Sequence, residues 1–196
     1  LEVLKTAKLD TEKIQNTAAG YHVVPSSPAL ANIDSVLNQV GKEYRLKEAL
    51  AGLEDYDYVV MDTPPSLNII TINALTASDF ALIPAQADIF SLQGITQLAQ
   101  TIDVVKRYTN TNLKVLGVVL TKHNTRSVLG RDLQQAITDT ATHIHTKVYT
   151  QFIREAVAVR EAQAMKQDIF SYDAKSNPAK DYDLLMKEVW KDICHE

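Results

Sequence analysis

The feature that most constrains the fold of this chain is an alternation between short, β-branched apolar runs and longer stretches with helical spacing. The runs predicted to form buried strands are Tyr56–Met61, Phe80–Pro84 and Val115–Thr121, with Tyr21–Val24 and Val148–Ile153 as weaker members. Their apolar residues fall on both faces, which is typical of a sheet covered on both sides. The alternation therefore predicts an α/β fold: a mostly parallel sheet with right-handed crossovers, flanked by helices in three layers.

Helical spacing is clearest over Ser91–Tyr108, where Ser91 is the predicted N-cap. The further predicted helices are Ala29–Val40, Arg45–Leu53, Asn68–Ala77 and Leu129–Thr140. A C-terminal helix begins at Asn177 and Pro178, and it carries both an apolar face and several acidic residues. An acidic helix is a poor match for anionic lipid, so we expect it to pack on the domain and not on a membrane.

Composition limits the protein classes that need consideration. A chain of 196 residues with 45% hydrophobic and 22% charged residues is typical of one soluble globular domain, here predicted to span residues 1–196. The apolar runs fall well short of the roughly 18–20 residues that a membrane helix needs. The single cysteine, Cys194, cannot form an internal disulfide, which favours a cytoplasmic location.

Charge is distributed unevenly along the chain. The net charge is −4, but residues 122–180 hold nine basic and six acidic side chains, between two segments that are acidic overall. Such a stretch is consistent with a footprint for an anionic partner. For an excess of only three positive charges, the pattern alone favours the other interpretation, an ordinary solvated face with scattered lysines.

One constellation of residues follows the first strong apolar run. Asp62 comes directly after it and is followed by Thr63, Pro64, Pro65 and Ser66. A carboxylate at the end of a buried strand is well placed to hold a magnesium ion through a water molecule, and two prolines stiffen the loop that follows. Two interpretations stay open here: a magnesium site, and a plain strand-to-helix turn in which Asp62 accepts loop hydrogen bonds. Ser66 or Asn68 is then the predicted cap of the next helix.

The ordered set of segments resembles a known family. YDYVVMDTPPSLNIITINALTASDFALIPAQADIFSLQGI is similar to the Walker B and switch II region of ParA-type partition ATPases, which are relatives of MinD in the deviant Walker A group of P-loop proteins. VVLTKHNTRSVLG, FIREAVAVREAQAMKQDIFSYD and SNPAKDYDLLMKEV follow in the family's order and spacing. The resemblance covers nearly the whole chain.

The resemblance implies an ATP- and Mg²⁺-dependent switch that segregates plasmid or chromosomal DNA. Its ATP-bound form is expected to be a homodimer that binds DNA without sequence preference, and a centromere-binding ParB-like partner is expected to stimulate hydrolysis.

The resemblance also implies roles for individual residues. By position, Asp62 matches the catalytic Walker B aspartate near magnesium. The residues implied to contact the cofactor are Thr63, Pro64, Pro65, Thr121, Lys122 and Asn124. Arg126 matches a DNA-binding residue of some members, and further basic candidates are Arg131, Arg154, Arg160, Lys166 and Lys175. The implied location is cytoplasmic and nucleoid-associated, without a membrane partner.

The chain also departs from the family pattern. Its six glycines are too far apart to form the lysine-bearing, glycine-rich phosphate loop. We expect that loop, and at least one βαβ unit, to lie upstream of Leu1, so that this chain is about three quarters of the domain and inactive alone. Where relatives often have a proline, this chain has Ile153, Arg154 and Glu155. Two alternatives remain: a naturally truncated, non-enzymatic DNA-binding or dimerising relative, and a MinD-like division-site ATPase.

Overall fold

The computed structural model describes residues 1–17, 19–124 and 128–195, with side chains at all of these positions except 128 and 129. The strands are β1 (Gln15–Asn16), β2 (His22–Val23), β3 (Phe80–Ala85) and β4 (Lys114–Leu120). The helices are α1 (Glu2–Thr6), α2 (Ile33–Val36), α3 (Arg45–Leu50), α4 (Ile69–Ala77), α5 (Ile89–Tyr108), α6 (Val128–His143), α7 (Val157–Ala164), α8 (Ile169–Asp173) and α9 (Asn177–His195). The α/β class predicted from the alternation is confirmed.

The chain forms two compact units. The first comprises residues 1–79 and 101–113, and the second comprises residues 80–100 and 114–196. Helix α5 contributes its last eight residues to the first unit and its first twelve to the second. The predicted single domain over residues 1–196 stays a prediction.

The first unit is mainly helical and is tied together by buried amides. Its apolar core is formed by Leu4, Ile33, Leu37 and Ile69. Asn73 on α4 donates to the carbonyls of Lys42 and Ile69, both at 2.9 Å, and accepts from the amide of Leu46 at 3.0 Å. Since a buried amide that makes all these bonds is costly to disrupt, α4 is held firmly against α3.

Helix α4 begins as the sequence predicts. The Asn68 side chain accepts hydrogen bonds from the amides of Ile70 and Thr71, so Asn68 is the N-cap. The predicted N-cap of α5, Ser91, is wrong by a few residues. Helix α5 starts at Ile89, because the Asp88 carboxylate accepts from the amide of Ser91 at 2.7 Å, while the Ser91 hydroxyl accepts from the amide of Gln86.

The second unit is built on a parallel strand pair. Strands β3 and β4 run side by side from the pair Phe80 and Lys114 to the pair Ala85 and Leu120. Isolated parallel bridges, Val118 with Val148 and His123 with Arg154, place residues 148–154 along the other edge of β4. Helix α9 covers this sheet through Leu185 and Val189, which join a core cluster with Leu116, Val119 and Ile153. The predicted packing of α9 on the domain is therefore confirmed.

The prediction of a buried strand over Tyr56–Met61 is wrong in this structure. The segment is not part of any sheet of the described residues; Val59 is 48% exposed and Val60 is 93% exposed. The apolar pattern was informative about residue type, but a strand forms only where a neighbouring strand accepts and donates its backbone hydrogen bonds. The segment is rich in apolar residues but has no regular structure.

Other predicted elements differ in extent. Tyr21–Val24 was expected to be a parallel strand, but only His22–Val23 pairs, antiparallel to Gln15–Asn16, in a short hairpin. Val148–Ile153 is not a continuous strand: one isolated bridge lies at Val148, and another lies just beyond the range at Arg154. The predicted helix over residues 29–40 is a 3₁₀ turn followed by the four residues of α2. Of the helices that the structure describes, none is long and apolar enough to cross a lipid bilayer.

Candidate functional site

The loop that leaves β4 lies at the carboxyl edge of the parallel pair. The Thr121 amide and hydroxyl both donate to the carbonyl of Ala85, at 2.7 and 3.2 Å, which ties this loop to the end of β3. Lys122 follows with a left-handed backbone (φ 50°), and both Lys122 and Asn124 are exposed. Non-glycine residues in this conformation cluster at functional sites. Ligands of open α/β sheets also bind beyond the carboxyl ends of the strands.

Between these exposed residues lies a buried histidine. His123 is 4% exposed, and its ring contacts the edge of the Phe152 ring at a centroid distance of 5.0 Å. Its amide donates to the carbonyl of Ile153 at 3.1 Å. Neither ring nitrogen has a hydrogen-bond partner within the part of the chain that the structure describes. Burying an imidazole without hydrogen bonds costs free energy of folding. The backbone hydrogen bond to Ile153 and the packing on Phe152 are the contacts that oppose this cost and hold the loop in place.

Arg154 and Asp181 form an ion pair next to this loop. The Arg154 Nε and Nη2 atoms donate to the two carboxylate oxygens of Asp181 at 2.7 and 2.8 Å, and the Arg154 amide adds a bond of 3.2 Å. Asp181 is only 2% exposed, whereas the Arg154 side chain is 44% exposed. Hydrogen bonding to Asp181 raises the pKa of Arg154 above its ordinary value. The guanidinium is therefore fixed in orientation, while the Arg154 side chain as a whole is partly exposed.

A second polar cluster fixes α9 to the same sheet. Asp192 accepts from the Lys147 ammonium at 2.7 Å and from the Tyr149 hydroxyl at 2.6 Å. The hydrogen bond from Lys147, followed by that from Tyr149, holds the pKa of the Asp192 carboxyl below its ordinary value. Lys147 also lies over the Tyr149 ring, 4.8 Å from its centre. This cluster positions α9 and contributes no group to the β4 exit.

Asp62 and the residues after it belong to the first unit. Asp62, Thr63 and Pro65 are exposed, and Pro64 is half-buried, in a segment without regular structure. No three His, Cys, Asp or Glu side chains lie together as a metal site anywhere in residues 1–17, 19–124 and 128–195. A single carboxylate with a neighbouring hydroxyl still fits Mg²⁺, which is commonly bound by one or two carboxylates, waters and the phosphates of its nucleotide.

The basic residues predicted to contact DNA fall mostly on the second unit. Arg131 is exposed on α6, Arg160 is exposed on α7, and Lys166 and Lys175 are exposed in the turns that follow α7 and α8. Arg154 differs because its guanidinium is already bound to Asp181. Arg126, the first candidate, lies outside the described residues.

Sequence reasoning missed the burial of two residues next to the β4 exit. Asp181 is one of the acidic residues that mark the last helix as acidic, and the structure buries it. The spacing of the helix could have indicated this burial. Positions 181, 185 and 189 lie four apart on one helix face, and Leu185 and Val189 are core residues. No pattern in the sequence marks His123 as buried without hydrogen-bond partners, since this depends on the packing of Phe152.

Comparison with known proteins decides the family. A family model described as an AAA domain matches residues 1–115. The chromosome partitioning protein ParA of Caulobacter vibrioides is 36% identical over 180 residues, which is 90% of this chain and 66% of the relative. The sporulation initiation inhibitor protein Soj of Bacillus subtilis is 38% identical over 175 residues, 88% of this chain and 68% of that protein. The chain belongs to the ParA-type partition ATPases.

A solved structure supports the same fold for this family member. The crystal structure of cobyrinic acid a,c-diamide synthase from Mycobacterium smegmatis, with bound ADP and magnesium, matches with a TM-score of 0.71 and 33% identity. The match covers 79% of this chain and 63% of the synthase. The fold is thus the α/β fold of P-loop nucleoside triphosphatases. The chain spans about two thirds of the length of the curated relatives it matches.

Proposed function

We propose that this chain is the larger part of an ATP-driven DNA-partition switch. The observation that carries the proposal is the match to chromosome-partitioning relatives along most of the chain. The resemblance of the segment around Asp62 to the family's Walker B region supports the assignment of Asp62 as the Walker B aspartate. In this proposal Asp62 holds Mg²⁺ through a water molecule. Thr63, Pro64 and Pro65 form the loop that responds to the phosphates. Thr121, Lys122 and Asn124 contact the nucleotide at the β4 exit.

The phosphate-binding loop is proposed to lie outside these 196 residues. Within them, the six glycines are too widely spaced to form such a cradle. Phosphoryl transfer in P-loop proteins depends on backbone amides and a lysine around the β- and γ-phosphates. Asp62 provides neither, so the 196-residue chain is proposed to be inactive without the loop. The alternative is a non-enzymatic relative that binds DNA or dimerises without turnover.

The partners follow from the same proposal. The nucleotide-bound form is a homodimer that binds duplex DNA through basic residues of the second unit, with Arg126, Arg131, Arg160, Lys166 and Lys175 as candidates. A ParB-like protein at the centromere stimulates hydrolysis and releases the DNA. The location is the cytoplasm, on the nucleoid.

The test compares two forms of the protein by calorimetric titration with Mg–ATP and by phosphate release. One form is residues 1–196, and the other is extended upstream to the full length of the relatives. We expect tight binding and turnover only in the extended form. There, Asp62→Ala is expected to lower turnover at least about tenfold, because magnesium loses its carboxylate while the exposed position leaves the fold intact.

Asp55→Ala is the matched control, since Asp55 is an exposed carboxylate in the same unit that precedes the apolar run. It is expected to leave turnover unchanged. Micromolar binding or turnover by residues 1–196 would show that the active site is elsewhere. An extended form without turnover would favour the non-enzymatic alternative, and an unchanged Asp62→Ala variant would remove Asp62 from the magnesium site.

A further inference from the structure

Helix α4, which follows the loop of Asp62, is held in place by buried polar side chains. Thr71, Asn73 and Thr76 all lie on this helix and are between 0% and 5% exposed. The side chain of each one makes a hydrogen bond to a residue outside α4. Because a buried polar group is costly to leave without its partner, these bonds fix α4 in the first unit.

The hydroxyl of Thr71 bonds to the loop and not to its own helix. It donates to the carbonyl of Ser66 at 2.7 Å, five residues earlier in the chain and before the N-cap Asn68. A threonine inside a helix that bonds to the backbone commonly donates to the carbonyl four residues earlier, as Thr96 and Thr138 do here at 3.2 and 2.9 Å. The Thr71 bond is therefore a tie between α4 and the loop that precedes it.

The chain between Asp62 and Ser66 is short and stiff. The rings of Pro64 and Pro65 fix their φ angles, and Thr63 and Pro64 each precede a proline, which favours an extended backbone at both positions. The carbonyl that α4 holds lies only four residues after Asp62. The position of the Ser66 carbonyl therefore limits where the Asp62 carboxylate can lie.

We propose that Thr71 is a positioning residue, which fixes the loop of Asp62 by holding the carbonyl of Ser66. The inference rests on the proposed function, in which Asp62 binds Mg²⁺ through a water molecule. Binding groups act well only when they are held close to their productive geometry. Asp62, Thr63 and Pro65 are exposed, so packing constrains them little, and the hydrogen bond from Thr71 supplies the constraint.

The first test measures the loop directly, in residues 1–196 without nucleotide. Backbone relaxation in NMR gives the order parameters of the Thr63, Ser66 and Leu67 amides. Thr71→Val removes the hydroxyl and keeps the branched shape of the side chain, so we expect these order parameters to fall. Thr71→Ser restores the hydroxyl and is expected to restore the order of the loop. Order parameters that do not change in Thr71→Val would overturn the inference.

Thr76→Val is the matched control, because it makes the same substitution on the same helix. Thr76 is fully buried, and its hydroxyl is bonded to the Thr109 hydroxyl at 2.9 Å and not to the loop. In this variant Thr109 keeps a second partner, the carbonyl of Val105 at 3.3 Å. We expect Thr76→Val to lower the free energy of unfolding without loosening the loop. Equal loosening by both valine variants would show that Thr71 has only a structural role.

The second test is the Mg²⁺ dependence of ATP turnover in the extended form. Thr71→Val is expected to raise the Mg²⁺ concentration for half-maximal turnover by about twofold to tenfold, the factor that corresponds to one neutral hydrogen bond. Thr71→Ser and Thr76→Val are expected to have the same Mg²⁺ dependence as the wild type.

The outcomes separate a failure of this inference from a failure of the proposed function. If the extended form hydrolyses ATP and Thr71→Val leaves its Mg²⁺ dependence unchanged, the positioning role is wrong and the proposed function stands. If the extended form does not hydrolyse ATP, the proposed function fails and the loop measurement alone decides. Loosening of residues 63–67 in Thr71→Val would then keep Thr71 as the anchor of the loop, and unchanged order parameters would remove it.

Discussion

At the scale of single residues, Gly117 has a packing role that only glycine can fill. It lies in β4, and a Cβ atom built there would be 2.8 Å from the Tyr149 ring and 3.0 Å from the Lys147 carbonyl. We expect Gly117→Ala to lower the free energy of unfolding by about 1–3 kcal/mol, because the ring and the backbone must move apart. Urea denaturation followed by circular dichroism measures the change.

Gly94→Ala is the matched control for this prediction. Gly94 lies inside α5, and no heavy atom outside the helix backbone lies within 4 Å of a Cβ built there. Alanine is therefore expected to raise the free energy of unfolding by about 0.5–1 kcal/mol, through the lower backbone entropy of the unfolded chain. Equal effects of the two substitutions would contradict the close approach at Gly117.

Residue-level predictions from sequence succeed where the cause is local. Asn68 is a cap because its side chain bonds to amides two and three residues ahead, and this depends only on neighbouring positions. The pairing of Arg154 with Asp181 joins residues that are 27 apart in sequence, and the sequence predicted a DNA contact for Arg154 and no partner for it within the chain. The roles of Asp62, Thr63, Pro64, Pro65, Thr121, Lys122 and Asn124 remain predictions.

At the scale of elements, the attachment of α9 depends on pH through Asp192. Its pKa is lower in the folded state because of Lys147 and Tyr149, so the charged form is the one that folding favours. This stabilisation is present above the unfolded pKa of about 3.9 and is lost as the pH falls through the lower folded value. We expect Asp192→Asn to destabilise the chain at pH 7 and to unfold with a weaker dependence on pH below about 4. Thermal melts across this range measure both effects.

Asp183→Asn serves as the control on the same helix. Asp183 pairs with Lys187 at the surface, and an exposed pair of this kind is worth only about 0.3–0.5 kcal/mol. The melting temperature at pH 7 is therefore expected to change much less than in Asp192→Asn. If both variants melt alike at every pH, the Asp192 cluster does not anchor α9.

The prediction of helices and strands was correct where the residues of the element are themselves enough to determine its structure. Strands β3 and β4 and helix α5 were predicted within a few residues, because their apolar positions pack on elements of this chain. Tyr56–Met61 was predicted on equally good residue types and failed, because a strand also needs a neighbour. The hairpin of β1 and β2 was missed as an antiparallel pair, since two-residue strands carry almost no periodic signal.

At the scale of the whole molecule, the charge distribution predicts how DNA binding responds to salt. In the extended, ATP-loaded form, Arg126→Ala or Arg131→Ala is expected to weaken binding equally on unrelated duplexes. Each lost phosphate contact should make the slope of log affinity against log salt shallower by about 0.9. Fluorescence anisotropy at several salt concentrations measures the slope.

Lys187→Ala is the control for salt dependence, because Lys187 is exposed but paired on the outer side of α9. It is expected to leave the slope unchanged. Wild-type binding that does not vary with salt would contradict the electrostatic model altogether. A loss confined to one duplex sequence would instead indicate a base contact.

For the molecule as a whole, the sequence predicted the family and the fold class, but it did not predict the two compact units. The family is indicated by the order of many short segments, so a wrong secondary-structure prediction in one of them, such as Tyr56–Met61, does not change it. The division into two compact units depends on contacts between distant residues, such as the hydrogen bond from the Asn110 amide to the carbonyl of Leu75. Nothing in local composition marks that boundary, since it passes through the middle of α5.

The segment around Val60 also bears on how long such a chain survives after synthesis. Exposed segments without regular structure are preferred sites of proteolysis. Val59 and Val60 lie in such a segment in the folded chain, so cleavage there needs no prior unfolding. A chain of these 196 residues is therefore expected to be cleaved near Val60 before the rest of its two compact units is attacked.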